Sequence, residues 1–322
     1  MSVQTTTPVI SVVIPAYNAE RFLPMQLEAL DAQIDAPEFE VIVVNNGSTD
    51  GTSAVIDEAI QRVSYPLRRV DAAEHQGPGY ARNVGVAHSR ADLLMFTDAD
   101  DVVSRWWLKS GLRAFQVSPL WSGGARLMTD EEMTGSVEDI RRAAGDSPAW
   151  VEPTPGDLGN AFPVVMGCDF GATREVYRQI GGFDQSLGTV YEDNDFGVRA
   201  HLAGIPVADA HAVRIAYRGK WDVPFRARLA RRSAAAHVMV AQRYGLTGKS
   251  PYPNPWRELL RSAGSGVLMA AGRKDRDWTG LWLRTVTAAG HARGTVVHCW
   301  LRREPAAQVG LGLDLHTAST EG

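Results

Sequence analysis

The first hundred residues alternate short apolar runs with stretches of helical composition, and this alternation restricts the fold more tightly than any other feature. VISVVIP (9–15), FEVIVV (39–44), LRRVDA (67–72) and DLLMFTD (92–98) have the length and β-branched content of buried strands, LRRVDA being the weakest. Between them ERFLPMQLEALDAQ, GTSAVIDEAIQRV and GYARNVGVAHS read as helices. Strands and helices in this order imply an α/β fold with a mostly parallel sheet and right-handed crossovers. Ligands of such sheets collect beyond the carboxyl ends of the strands. The polar loops lie there: PAYN after the first strand, NNGSTDGT after the second and DADD after the fourth.

Further along, residues 129–160 are rich in Glu, Asp, Gly and Pro and read as an excursion or loop. FPVVMGCDFGA (162–172) reads as a strand, followed by a short helix ending at GGFD, and EDNDFGVRAHLAG reads as a helix with a glycine stop. From about residue 224 only helices are expected, with turns at GLTGKSPYPNP (245–255) and AAGRKDRD (270–277). The expected division is a first domain over 1–223, split near residue 110, and a helical C-terminal region over 224–322.

Composition narrows the partners. With 44% hydrophobic and 22% charged residues the chain is globular, and its net charge of −4 gives no electrostatic reason to expect nucleic acid or an anionic membrane as the main partner. The two cysteines, Cys168 and Cys299, form no CxxC pair, which fits a reducing compartment. MSVQTTTPVI lacks the basic-then-apolar order of a signal peptide, and no apolar run approaches the ~20 residues that span a bilayer. A cytoplasmic protein is expected. Residues 214–303 are arginine-rich, either as solvated helix faces or as a surface for an acidic acceptor or lipid headgroups.

Four stretches carry candidate chemistry. NNGSTDGT is either a plain strand-to-helix turn, capped by Ser48, Thr49 or Asp50, or a loop whose Asn45 and Asn46 amides meet a nucleotide base. GPGYARNVG reads Gly77-x-Gly79-x-x-Arg82 and lacks the third glycine of a dinucleotide fingerprint, so Arg82 is a surface helix residue or a diphosphate ligand. DADD places Asp98, Asp100 and Asp101 where a buried strand surfaces, and a hard divalent ion shared with a diphosphate would relieve their repulsion. YEDNDFGVR sets Glu192, Asp193 and Asp195 at a helix start, where acids are favoured electrostatically and where one could act as a general base.

Taken together, VVIPAYN-E, VNNGSTDGT, GPGYARNVGVAHSRADLLMFTDADD, GGFD and YEDNDFGVR resemble, in order and spacing, the family 2 glycosyltransferases of the GT-A fold, over about residues 9–218. The resemblance implies an inverting hexosyl transfer from a nucleoside-diphosphate sugar to a hydroxyl of a glycan, lipid-linked sugar or small molecule. It makes 1–110 the nucleotide-sugar-binding half and 111–223 the acceptor-side half. Pro15, Ala16, Tyr17, Asn18 and Glu20 would hold the nucleotide, Asn46 would read its base, and Gly79, Arg82, Asn83 and Ala99 would line the donor site. Asp98 and Asp100 would bind ribose, diphosphate and Mn2+ or Mg2+, and His211 is the nearest histidine for a third metal ligand, the alternative being a surface histidine. Asp193 would be the base, with Glu192 and Asp195 on the acceptor side. Asn45-Asn46 departs from the carboxylate pair of many relatives but still suits the N3–H of uracil or thymine, so a UDP- or dTDP-sugar is expected. Peripheral contact with a membrane is a further expectation. The rival readings are a haloacid-dehalogenase-type phosphatase, which LLMFTDADDV fits, a sugar-nucleotide-forming nucleotidyltransferase, and a non-catalytic carbohydrate-binding homologue.

Overall fold

The computed structural model describes residues 7–219 and 221–314, so most of the segment read for a leader lies outside the described residues. The chain divides into two compact units, one of Met1–Gly219 with Gln308–Gly322, the other of Lys220–Ala307.

The first unit is built on an eight-stranded sheet. Its strands are β1 (Ile10–Ala16), β2 (Phe39–Asn45), β3 (Leu67–Asp71), β4 (Leu93–Thr97), β5 (Val102–Val103), β6 (Leu120–Met128), β7 (Asp169–Thr173) and β8 (Ala208–Arg218), in the order β3-β2-β1-β4-β7-β6-β8-β5. β1 pairs in parallel with both β2 and β4, and β2 with β3, as the alternation requires. β1, β2 and β4 were legible because their centres are apolar on both faces: Val12, Val13, Ile14, Val41 to Val44, Leu94, Met95 and Phe96 are all fully buried, whereas β3 carries Arg68 and Arg69 at its centre and is only partly buried. Beyond β4 the sheet changes character. β7 runs antiparallel to β4 and β6, while β6 and β8 are parallel to each other with a register shift between Ser122 and Gly124.

The helices of this unit are α1 (Leu23–Asp31), α2 (Thr52–Arg62), α3 (Pro78–His88), α4 (Trp107–Phe115), α5 (Val137–Ala143), α6 (Arg174–Ile180) and α7 (Glu192–Leu202). The run FPVVMGCDFGA is strand only from Asp169 onward. Pro163 has no N–H for a ladder, and the chain turns at Gly167-Cys168, where Asp169 N–H donates to Met166 O at 2.8 Å, so 162–168 crosses the site as irregular backbone. Within 129–160, Ser136 and Asp139 form a capping box that starts α5.

The second unit consists of α8 (Val223–Arg243), α9 (Pro255–Ala270), α10 (Trp278–Gly294) and a π-helical turn over Thr295–Trp300. α8 and α10 pack at backbone distance: a Cβ on Gly290 would lie 2.4 Å from Arg231 O, and one on Gly294 would lie 2.9 Å from Val238 Cβ. No helix of the described residues is long and apolar enough to cross a membrane.

Candidate active site

The carboxyl ends of β1, β2 and β4 open side by side, and their loops are laced together. Asn18, in the left-handed region at φ 49°, accepts from Thr49 N–H at 2.8 Å and donates its own N–H to Ser48 Oγ at 3.0 Å. Glu20 Oε2 accepts from Gly51 N–H at 2.9 Å, while Glu20 N–H donates to Asp50 Oδ2 at 3.1 Å. Asp50 also takes the Thr52 N–H at the start of α2, so it serves that helix as a capping acid does. Pro15 and Ala16 end β1 beneath this lacing, and Tyr17 projects from it, 53% exposed.

Two asparagines expected at the ligand are engaged with backbone. Asn46 is buried; its Nδ2 donates to Ala72 O at 2.5 Å and to His75 O at 2.7 Å, and its Oδ1 accepts from Gly77 N–H at 2.8 Å. It therefore ties 72–77 beside the crevice. Asn83 is fully buried and bonded to Phe183 through both its Nδ2 and its Oδ1, with a further donation to Leu311 O at 3.0 Å. Gly79 is the point where α3 meets Phe183, whose Cβ would stand 3.0 Å from an added methyl group.

The DADD turn answers the repulsion problem with two arginines. Gln26 of α1 fixes the turn from below, donating to Thr97 Oγ1 at 2.8 Å and accepting from Val103 N–H at 3.1 Å. Asp101 faces inward and accepts from Arg218 N–H at 3.0 Å, with Ala99 also buried. Asp98 and Asp100 stay partly exposed. Arg82 Nη2 donates to Asp98 Oδ1 at 2.8 Å, and Arg218 Nη2 donates to Asp100 Oδ2 at 2.8 Å. Arg218 also reaches Asp130 at 3.3 Å and lies 4.0 Å over the Phe22 ring. The three aspartates present carboxylate oxygens all within 4.8 Å of one another. Hard oxygen donors that close together, two of them solvent-accessible, suit a divalent ion such as Mn2+ or Mg2+.

Opposite this turn stands the start of α7. Tyr191 adopts φ 74°, costly for a bulky residue and typical of functional sites. The kink sets Glu192 and Asp193 at the helix N-terminus. Arg82, itself buried, spans the gap: its Nη1 lies 3.4 Å from Glu192 Oε1 while Nη2 holds Asp98. Burial works against the guanidinium charge, but Asp98, Glu192 and Asp193 together outweigh it. Burial also pushes the Glu192 carboxyl up to about 7, with the Asp193 charge adding to the rise and Arg82 opposing it. Asp193 is half-buried; its Oδ1 accepts from Asn194 N–H at 2.7 Å, and its Oδ2 lies 3.3 Å from Gly167 N.

Asp195 is placed differently, fully buried with Arg199 Nε donating to it at 2.8 Å along the same helix. The structure does not bring His211 to the aspartates. His211 is 74% exposed and pairs with Asp209 at 2.9 Å, seven residues before Arg218, roughly 20 Å along an extended strand. Arg218 and Gln26 are the site residues that the sequence reading missed. A strand signal in AVRIAYR (212–218) would have put an arginine at a carboxyl strand end; nothing local distinguishes Gln26 from a surface glutamine.

Comparisons with known proteins bear on the family and the fold. The family model described as "Glycosyl transferase family 2" matches residues 11–180. The teichoic acid poly(glycerol phosphate) polymerase of Staphylococcus epidermidis is 32% identical over 106 residues, 33% of this chain and 15% of that protein. Validoxylamine A glucosyltransferase of Streptomyces hygroscopicus subsp. limoneus is 29% identical over 235 residues, 62% of this chain and 49% of that protein. The chain thus spans less than half the length of either relative. Among solved structures, a mannosyltransferase of Pyrobaculum calidifontis in complex with GDP-Man and Mn2+ aligns with a TM-score of 0.64 at 20% identity, covering 93% of this chain and 89% of that one. A fragment of Staphylococcus aureus TarS in complex with UDP-GlcNAc aligns with a TM-score of 0.53 at 17% identity, covering 91% of each chain. At such identities the likeness fixes the fold, which is of the GT-A type, and no more.

Proposed function

The chain belongs to glycosyl transferase family 2, and from that premise we propose that it transfers a sugar from a UDP- or dTDP-sugar to an acceptor hydroxyl, with inversion at the anomeric carbon. The observation that carries this reading is the span of Arg82 between Asp98 and Glu192, which joins a diphosphate-side acid to an acceptor-side pair across one crevice. A single displacement needs that arrangement, with the leaving group on one side and the base on the other.

In this reading the laced loops of β1 and β2 seat the nucleoside, and Asn46 acts through the 72–77 segment that it ties. Mn2+ or Mg2+ held by Asp98 and Asp100 would supply positive charge for the departing diphosphate. Asp193 takes the proton of the acceptor hydroxyl, its carboxylate aimed by the Asn194 N–H and the Gly167 N–H. Glu192, with its carboxyl raised to about 7, orients the acceptor as either donor or acceptor of a hydrogen bond. Asp195 fixes α7 through Arg199. The phosphatase and nucleotidyltransferase readings have no support from the family match.

Thermal stabilisation and hydrolysis across a set of nucleotide sugars, with and without Mn2+, test the proposal. Stabilisation by a UDP- or dTDP-sugar that requires the metal is expected. Stabilisation by none of them would leave the fold without the donor assignment.

A further inference from the structure

The second unit treats tryptophan in the opposite way from the first. Of the nine tryptophans, Trp107 and Trp121 of the first unit are fully buried, whereas all five in the second unit are at least 42% exposed. Large aromatic side chains normally carry the energetics of a core. Here they face solvent on a unit with its own packed helices.

Charge is partitioned just as sharply. Residues 220–307 hold sixteen Lys and Arg against five Asp and Glu, a surplus of eleven positive charges in a chain whose net charge is −4. The exposed apolar groups also share a face. Trp256, Leu260 and Val267 are 42%, 74% and 69% exposed, and their spacing of four and seven residues puts them on one side of α9. Trp300 stacks on Trp256 with ring centroids 6.0 Å apart and remains 64% exposed, followed by the exposed Leu301. Arg302 and Arg303 come next in sequence.

We propose that this face, α9 with Trp300 and Leu301, docks the second unit onto the surface of an anionic lipid bilayer. Tryptophan prefers the headgroup level, Leu and Val enter the acyl boundary, and arginine pairs with anionic headgroups while its stem covers apolar surface. With no membrane-crossing helix among the described residues, the unit lies on the bilayer instead of traversing it. A second copy of the chain is the weaker occupant, because apposing two such basic units sets like charge against like. The inference does not rest on the transferase reading and survives its failure.

Sedimentation of the full chain with vesicles tests it. Vesicles of phosphatidylcholine with added phosphatidylglycerol should retain the protein at low ionic strength at least ~10-fold better than phosphatidylcholine alone, and high salt should release it. Reversing Arg302 and Arg303 together (Arg302→Glu with Arg303→Glu) should weaken retention by ~10-fold or more. Trp256→Ser with Trp300→Ser should weaken it while the circular dichroism melt stays unchanged, since both rings are exposed. Brominated acyl chains should quench the parent's fluorescence and spare that of the double tryptophan variant. No retention at low ionic strength would overturn the proposal. So would retention indifferent to the tryptophan pair, binding to soluble polyphosphate without binding to vesicles, or a dimer that the same tryptophan changes dissolve.

Discussion

Arg218 Nη2 stands 2.8 Å from Asp100 Oδ2, so the acid expected to meet a divalent cation shares its charge with a guanidinium from the end of β8. The two cations compete for one carboxylate. Arg218→Gln should therefore tighten Mn2+ binding in the absence of nucleotide by ~2–5-fold, the scale of a partly exposed ion pair of up to about 1 kcal/mol. Electron paramagnetic resonance of free Mn2+ reads this directly. Weaker binding in the variant would mean that Arg218 shapes the site without competing for it.

Asp100→Asn is the converse. It removes one hard ligand from a partly exposed position, so the fold should hold while metal-dependent binding of UDP is lost. Calorimetric titration of UDP, with and without Mn2+, separates the two. Undiminished metal-dependent affinity would return Asp100 to an ordinary surface acid paired with Arg218.

Glu192 gives a pH signature. Its folded pKa is raised from the ordinary 4.5 of a glutamate to about 7, first by burial and then by Asp193. The folded state keeps a proton that the unfolded chain gives up, so stability falls as pH rises from about 4.5 to about 7 and is level above that. Glu192→Gln removes the penalty. Its stability relative to the parent should grow between pH 5 and 8 by on the order of 2–3 kcal/mol, measured by urea unfolding at both ends. A relative gain that shrinks over that range would contradict the assigned burial.

How much of this was legible follows from where each signal is stored. The strands from β1 to β4 and the loops at their ends could be read because local periodicity and turn residues encode them. Asp98 and Asp100 could be placed for the same reason. The Arg82 bridge to Glu192 joins residues 110 positions apart, and no local pattern announces it. β6 and β8 were missed because GGAR and VADAHAVR mix glycine and polar residues into strands that a partner strand stabilises. FPVV misled in the other direction: an apolar run looks the same whether it pairs in a ladder or, as here, crosses the site with Val165 fully buried. Asn46 and Asn83 were legible as important and not as framework, since an amide suits a base edge and a backbone loop equally well.

The proposed mechanism turns on Asp193. Its Oδ1 is held by the N–H and the side-chain amide of Asn194, and its Oδ2 is directed toward the crevice segment at Gly167, where an added Cβ would stand only 3.1 Å from it. In the proposed mechanism that oxygen meets the acceptor hydroxyl, while Arg82 keeps a positive charge nearby. Asp193→Asn preserves shape and deletes the proposed base. Donor and metal binding should change little, because Asp98 and Asp100 are untouched, whereas transfer should drop by ~10²–10⁴-fold, the usual share of a positioned base. Stereochemistry supplies a separate check, since a single displacement from the side of Asp193 inverts the anomeric centre. Calorimetry of the donor complex together with nuclear magnetic resonance of the first-formed product measures both. Near-normal transfer by the variant, or a product that keeps the donor's configuration, would assign the proton to another group and leave Asp193 as a support for α7 and the 167 turn.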